Sequence, residues 1–172
     1  LVARTLPGVT LTAITGRGYV HGDRLGPVVE ALRREGVTVE VLQDVRTISH
    51  YMHRADLVLT SAGRTVYELA SIGTPTVVLA QNRRELTHTF ASARNGIINL
   101  GLGTEVDDAT VAATLTEVAQ DQALRERCSA LMRSQDVRGG VDNVIHLVFD
   151  RLRAHERAQA SGAAPAQEPP SP

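Results

Sequence analysis

Short runs rich in β-branched residues alternate with longer amphipathic segments along most of this chain, and this alternation restricts the fold more than any other feature. The runs predict strands at residues 9–15, 37–42, 57–60, 76–80 and 97–100. The amphipathic segments predict helices at residues 23–35, 47–54, 64–72, 85–94, 107–120, 123–132 and 141–154. Strands separated by helices form βαβ units with right-handed crossovers, so the sequence predicts an α/β fold in which helices flank a parallel sheet.

The chain has 172 residues, which is enough for one domain with a hydrophobic core. From residue 157 onward the sequence is rich in Ala, Pro, Gln, Ser and Gly, a composition that buries too little apolar surface to order itself. We therefore expect one domain over residues 1–156 and a disordered tail over residues 157–172. Residues 2–6 resemble the end of a helix and the chain begins with Leu1, so we also expect it to continue upstream.

Composition excludes several classes of function. Every basic side chain other than histidine is Arg, so the chain contains neither a P-loop lysine nor a Schiff-base lysine. The net charge is −1 and no basic cluster marks a nucleic-acid surface. A single cysteine, Cys128, excludes a disulfide framework, fits a reducing cytoplasm, and lies in a helical pattern that predicts a core position. No apolar run approaches the roughly 18 residues that span a bilayer.

The sharpest local signal is the segment from Thr60 to Glu68, where small residues join a predicted strand to a predicted helix. Free amides and the helix dipole at such a junction favour an anion, most naturally a diphosphate. Gly63 permits close approach of the backbone, and Ser61 and Thr65 can cap the helix or donate to phosphate oxygens. The carboxylate of Glu68 suits a ribose diol. The alternative is an ordinary capped helix with an Arg64–Glu68 pair one turn apart.

A second junction, residues 15–19, contains Gly16, Arg17 and Gly18 after the first predicted strand. Arg17 can reach a phosphate across a cleft, although a plain glycine-rich turn explains the same residues. The spacing departs from the dinucleotide fingerprint because His21 stands where a third glycine belongs. An NAD-binding domain would also need an acidic residue about 20 positions after Gly16, whereas Asp44 lies 28 positions on.

A third polar loop, residues 80–88, follows the fourth predicted strand. Gln81 and Asn82 carry donors and acceptors that suit sugar hydroxyls. Glu85 and His88 share one face of a predicted helix, but two such ligands make a weak metal site, and a solvated start to a helix explains them as well. His50 and His53 have no partner visible in the sequence and are expected at the surface.

Taken together, the segments ADLVLTSAGRTVYELASIGTPTVVL and AQNRRELTHTFASARNGIINLGLG carry a family resemblance that covers roughly residues 1–150. The former is similar to the nucleotide-binding segment of GT-B glycosyltransferases of the MurG type. The matching residues are Ala55, Asp56, Ser61, Gly63, Thr65, Glu68, Gly73 and Pro75. The latter more closely resembles the SpsG/PseG-like branch, which contains nucleotide-sugar hydrolases of nonulosonic (sialic-like) acid synthesis.

The resemblance implies a Rossmann-like GT-B C-terminal domain and a role for each loop. Glu68 would bind the nucleotide ribose, and the residues around the diphosphate would be Ser61, Ala62, Gly63, Arg64 and Thr65. Gly16 and Arg17 would border the nucleotide from the neighbouring loop, and Val45 and Ile48 would line the base pocket. The sugar would face Gln81, Asn82, Glu85 and His88. No cofactor or metal is implied beyond the nucleotide-diphosphate sugar itself.

This chain departs from the family in lacking an N-terminal Rossmann-like domain, which carries the catalytic base, often a His. It also lacks the strand and glycine-rich turn that open the C-terminal domain. The resemblance therefore implies the donor-binding part of a bacterial glycosyltransferase, which we expect to be inactive alone, with its catalytic residues elsewhere. The alternatives are a nucleotide-sugar hydrolase of the PseG type and a non-catalytic nucleotide-sugar-binding module.

Overall fold

The computed structural model describes residues 1–160 and has an α/β architecture. The strands are β1 (Thr10–Thr15), β2 (Thr38–Gln43), β3 (Val58–Thr60), β4 (Thr76–Ala80) and β5 (Ile97–Leu102). The helices are α1 (Val2–Thr5), α2 (Gly22–Arg34), α3 (Ile48–Arg54), α4 (Thr65–Ile72), α5 (Asp108–Gln120), α6 (Gln122–Arg133) and α7 (Gly140–Ala160). The chain divides into two compact units, Leu1–Gln135 and the segment from Asp136 onward.

All strand pairs in the first unit are parallel, as the βαβ pattern predicts. β1 pairs with β2 from Thr10 opposite Thr38 to Thr15 opposite Gln43. The other strands form a second sheet in the order β3-β4-β5. In both sheets the carboxyl ends of the strands lead into the loops that the sequence singles out, because parallel strands end at the same edge.

The core lies around the central strand β4. Val77 and Val78 are both fully buried, and because neighbouring side chains in a strand point to opposite faces, both faces of this sheet are covered. On one face Val77 packs with Val111, Leu115 and Val118 of α5. Burial of this kind contributes about 1.5–3 kcal/mol for each large apolar side chain.

Two glycines close the elements next to β4 and β5. Gly73 ends α4 at φ +86° and Gly96 precedes β5 at φ +77°, conformations that disfavour residues with a Cβ. A Cβ on Gly96 would also collide with the backbone carbonyl of Cys128, so α6 packs directly against this turn. Cys128 itself is buried, as predicted, and burial raises the pKa of its thiol.

The strand predictions are confirmed to within about two residues, but the predicted helix over residues 85–94 is wrong. The structure has two short 3₁₀ turns there, Glu85–Thr87 and Ala93–Asn95. Side-chain amides replace the helical hydrogen bonds between them: Asn95 Nδ2 donates to the carbonyl of Phe90 at 2.8 Å. Such local side-chain bonds compete with a regular helix.

The second unit contains a 3₁₀ turn and α7, which ends at Ala160 rather than at the predicted residue 154. The first unit ends at Gln135, and the predicted domain over residues 1–156 stays a prediction. Residues 157–160, the start of the predicted tail, belong to α7. The rest of that predicted tail, residues 161–172, lies outside the described residues. In the described part of the chain, no helix combines the length and apolarity that crossing a membrane requires.

Candidate functional site

The junction between β3 and α4 is held firmly by the core. Ala62 within the turn is fully buried, as are Val66, Leu69 and Ala70 on the inner face of α4. A buried inner face fixes the axis of α4, and with it the direction of the backbone groups at its first turn. The sequence dictates this arrangement through apolar residues at helical spacing after Gly63.

The first backbone amides of α4 have no protein acceptor. Within residues 1–160, the amides of Gly63, Arg64 and Thr65 donate to no other group, and no side chain caps the helix. Of the two roles expected for Ser61 and Thr65, neither residue caps α4, and donation to phosphate oxygens stays a prediction. By contrast, Asp107 caps α5 and Asp121 caps α6 through their carboxylates.

The two charged residues near this start both face solvent. Arg64 and Glu68 are exposed. They do not form the ion pair that the alternative interpretation requires, and within residues 1–160 neither side chain joins any other ion pair. The site thus combines three free amides, a free guanidinium and, one helical turn further on, a free carboxylate.

The amide of Ala62, unlike those of Gly63, Arg64 and Thr65, has a protein acceptor, while a place for residues 61–65 around a diphosphate stays a prediction. Ala62 N donates to Glu85 Oε2 at 3.2 Å. The same carboxylate oxygen accepts from Gln81 N at 2.9 Å. His88 Nδ1 lies 2.7 Å from the carbonyl oxygen of Ala62. Both backbone polar groups of Ala62 are therefore held by the segment that follows β4.

The predicted sugar-facing residues divide into two groups. Glu85 and His88 contact Ala62, as described. Asn82 closes the first 3₁₀ turn, because its Oδ1 accepts from Glu85 N at 3.2 Å. Gln81 has an exposed side chain. A sugar contact for any of the four stays a prediction.

The absence of a side chain at Gly63 leaves space beside Ser61 and Glu85. A Cβ placed there would lie 3.4 Å from Ser61 Oγ and 3.7 Å from Glu85 Oε1. Glycine is not demanded by a positive φ at this position, so what it provides is space at the start of the helix. Space beside free amides is what close approach of a phosphate needs.

The ends of β1 and β2 form a separate cluster. Arg17 Nε donates to Asp44 Oδ2 at 2.7 Å, so the guanidinium that was expected to border the nucleotide is paired. The exposed pair also accounts for Asp44 without an NAD ribose. Gly16 is exposed, and Val45 and Ile48 are half-buried. Within residues 1–160, no hydrogen bond or ion pair joins this cluster to the turn at Ala62.

Other possible sites lie elsewhere. His50 and His53 are exposed, as expected. Among the described residues, no group of three or more His, Cys, Asp or Glu side chains could hold a metal ion. A cavity of about 420 Å³ lies near Pro7 and Gly36, and one of about 320 Å³ near Pro75. These residues precede strands, whereas α/β sheets bind ligands where strands end.

One aromatic contact at the site was missed from the sequence. The rings of Tyr67 and Phe90 stack with centroids 4.4 Å apart and planes 26° apart. The pair joins the outer side of α4 to the segment after β4, 23 residues later in the chain. Tyr67 is 41% exposed and lies outside the buried face of α4, and a large aromatic residue next to that face was the one signal available in the sequence.

Comparison with known proteins supports the fold. No established family matches the sequence, and no curated protein matches it. Among solved structures, the chain is similar to Alr3699/HepE of Anabaena in complex with UDP-glucose, with a TM-score of 0.62 and 18% sequence identity. The match covers 87% of this chain and 43% of that one, so this chain spans less than half the length of its structural neighbour. The Rossmann-like α/β fold predicted from the sequence is confirmed.

Proposed function

We propose that this chain is the donor-binding domain of a nucleotide-sugar-dependent glycosyltransferase of GT-B type. The single observation that carries the proposal is the uncapped start of α4, with free amides at Gly63, Arg64 and Thr65. Helix starts leave their first amides without a partner in the helix, and amides that no side chain caps suit an anionic ligand.

In this proposal the diphosphate lies against the three amides and the guanidinium of Arg64. The helix dipole adds positive potential there, and Arg recognises phosphate oxygens through paired hydrogen bonds. Departure of a nucleoside diphosphate leaves negative charge at this position, which these donors would stabilise without a metal ion. The domain therefore binds the donor and assists the leaving group.

Glu68 is assigned to the ribose. Its carboxylate is exposed, unpaired within residues 1–160, and one turn along the helix from the amides. A carboxylate accepts two hydrogen bonds from a vicinal diol. The base would lie against Val45 and Ile48, and the sugar would face Gln81 and Asn82.

The structural neighbour supports the binding of a nucleotide sugar, since HepE is a protein of the same fold in complex with UDP-glucose. That chain is more than twice as long as the matched part, given that the match covers 43% of it. We infer that the catalytic base of the present protein lies in a further Rossmann-like domain and that this chain alone turns over little substrate.

Nuclear magnetic resonance on the labelled chain tests the proposal. Titration with UDP and UDP-glucose should shift the amide resonances of Gly63, Arg64 and Thr65 first. Glu68→Ala should weaken UDP binding about tenfold or more, because a charge-assisted hydrogen bond contributes about 1.5–3 kcal/mol. Glu117→Ala removes a carboxylate from α5, away from this junction, and should leave binding unchanged.

Two outcomes would contradict the assignment. If Glu68→Ala and Glu117→Ala bind UDP equally well, Glu68 does not hold the ribose. If neither UDP nor UDP-glucose shifts the amides at residues 63–65 at millimolar concentration, the start of α4 is not a nucleotide site. Arg64→Ala, paired with the exposed Arg127→Ala on α6, separately tests the guanidinium.

A second candidate is a nucleotide-sugar hydrolase, favoured by the resemblance of residues 80–103 to the SpsG/PseG-like branch. Both functions use the same donor site and differ in the attacking group. An assay of the full-length protein with a UDP-sugar distinguishes them: a glycosylated acceptor supports transfer, whereas free sugar in water alone supports hydrolysis. Nucleotide binding without either product supports a binding module.

A further inference from the structure

The contacts around Ala62 have a consequence for the neighbouring residue. The carbonyl of Ala62 and the amide of Gly63 belong to one planar peptide group, so the direction of one fixes the direction of the other. In a trans peptide the N–H points opposite to the C=O. A side chain that holds the Ala62 carbonyl therefore aims the Gly63 amide, which is one of the free donors of the anion turn (the residues from Ser61 to Thr65).

His88 holds that carbonyl. Its Nδ1 lies 2.7 Å from the oxygen of Ala62, and because a carbonyl only accepts, Nδ1 carries the proton. Donation to a peptide oxygen also polarises the peptide and strengthens its N–H as a donor, by about 10–30% per bond. His88 is thus placed to orient the Gly63 amide and to strengthen it.

Glu85 holds the preceding peptide. Its Oε2 accepts from Ala62 N at 3.2 Å and from Gln81 N at 2.9 Å, so one carboxylate ties the end of β4 to the turn after β3. The stacked rings of Tyr67 and Phe90 join the same two segments. With the peptides on both sides of Ala62 fixed, the turn keeps its shape before any ligand arrives.

We propose that His88 and Glu85 are positioning residues of the diphosphate site, with His88 acting on the ligand through the 62–63 peptide. This inference rests on the proposed function. It assigns both residues to the shape of the anion turn rather than to the sugar. Preorganised donors avoid the cost of reorganisation when charge arrives, which is why their loss weakens binding of the charged group specifically.

Two substitutions of His88 separate the loss of its N–H donor from the loss of its volume. His88→Asn keeps a side-chain N–H near the position of Nδ1, whereas His88→Leu keeps the volume and removes the donor. UDP binding should fall about three- to tenfold in His88→Leu and recover in His88→Asn. His53→Leu changes an exposed histidine on α3 and serves as the matched control. The amide resonance of Gly63 should move in unliganded His88→Leu and stay close to wild type in His88→Asn.

Substitutions of Glu85 test whether its carboxylate strengthens or weakens UDP binding. Glu85→Gln retains an oxygen acceptor for both amides and should bind UDP within about twofold of wild type, whereas Glu85→Ala should bind it about three- to tenfold more weakly. If the carboxylate instead competed with the diphosphate, both variants would bind UDP more tightly, and that result would overturn the inference.

Inorganic pyrophosphate and uridine separate positioning from general damage. Positioning predicts that His88→Leu loses affinity for pyrophosphate and UDP but not for uridine, while thermal unfolding shows that the variant is folded. Equal losses for uridine and UDP, or no loss at all, would contradict it. If wild-type protein binds neither UDP nor pyrophosphate, the proposed function fails as well; if wild type binds and His88→Leu is unaffected, only the positioning role fails.

Discussion

Two junctions in this molecule have the same description in sequence, a strand that ends in small residues followed by a helix, yet they differ in structure. At the β3–α4 junction Ala62, Val66 and Leu69 are fully buried and the backbone is held by side chains from another segment. At the β1–α2 junction a Cβ added to Gly16 or Gly18 would meet nothing within 4 Å. The loop there is held by a backbone hydrogen bond from Tyr19 N to the Gly16 carbonyl at 3.0 Å and by an ion pair between the exposed side chains of Arg17 and Asp44.

The contrast shows what turns a glycine-containing turn into a candidate site. Small residues leave backbone amides free at both junctions. Only at the β3–α4 junction do a packed helix and side chains bound to the neighbouring peptide groups keep the free amides in a fixed direction. When a diphosphate binds to a loosely held loop, the binding free energy must offset the conformational entropy that the loop loses, at about 1–2 kcal/mol for each residue that becomes fixed. For this reason the β3–α4 junction carries the proposed function and the β1–α2 junction does not.

The largest effect is expected on the free energy of unfolding, from substitutions of the apolar residues that pack the helix following each junction. Leu69→Ala removes a fully buried side chain from α4 and should cost about 2–5 kcal/mol of the free energy of unfolding. The matched change on α2 is Val28→Ala, where the side chain is 55% exposed and the cost should stay within about 0.5 kcal/mol. Urea unfolding measures both. Similar losses in the two variants would show that α2 is anchored as firmly as α4.

The next effect concerns ligand approach. Gly63→Ala places a methyl group in ordinary contact distance of Ser61 Oγ, so stability should change little, but the methyl occupies the space beside the free amides. UDP affinity should fall about five- to tenfold. Gly16→Ala adds a methyl in open space and should leave UDP affinity unchanged. If Gly16→Ala weakens UDP binding as much as Gly63→Ala, both junctions contact the nucleotide.

Sequence patterns determine most of this fold because periodicity is local information. Alternating and helical spacing, with Gly73 after a helix, places the strands and α4 to within a residue or two. The same reasoning fails at residues 85–94, because the polar pattern there also fits a helix. Local side-chain hydrogen bonds compete with the helix there, because Asn95 Nδ2 and Asn99 Nδ2 donate to the carbonyls of Phe90 and Ala91.

The candidate site also has one part that nearby residues in the sequence predict and another that depends on residues far apart in the chain. The free amides at the start of α4 follow from Gly63 and the apolar spacing after it, both readable in sequence. The partners of Ala62 do not, since Glu85 and His88 lie 23 and 26 residues away. Their polar character marks them as candidates in sequence, but only the three-dimensional structure shows that they contact the turn.

A smaller effect distinguishes a capped helix from the open start of α4. Hydrogen bonds from the amide and hydroxyl of Thr110 lower the pKa of Asp107 from its ordinary value of 3.8, so the folded state favours the ionised carboxylate. Its contribution to stability is therefore present above pH 3.8 and is lost as the pH falls through the lowered folded value.

Asp107→Asn keeps an acceptor and removes the titration, so stability measured by thermal unfolding should depend less on pH in this acid range than in wild type. Asp108→Asn removes an exposed neighbouring charge and provides the control. A variant whose unfolding midpoint falls with acid as steeply as that of wild type would show that Asp107 is not the group that titrates.

The smallest effect is expected from the ion pair that closes the β1–α2 junction. The Arg17 side chain is 85% exposed and that of Asp44 49% exposed, so solvent screens their attraction and a double-mutant cycle should give about 0.2–1 kcal/mol. Asp44 also has a positive φ of +53°, which disfavours a residue with a Cβ. Asp44→Gly therefore loses the pair but relieves the backbone, and its stability should lie above that of Asp44→Ala.

Arg17→Ala should weaken UDP binding less than Arg64→Ala does, because the Arg17 guanidinium is already paired. An equal loss of UDP affinity would mean that Arg17 leaves Asp44 for the phosphate, and the weakly held junction would then belong to the nucleotide site after all.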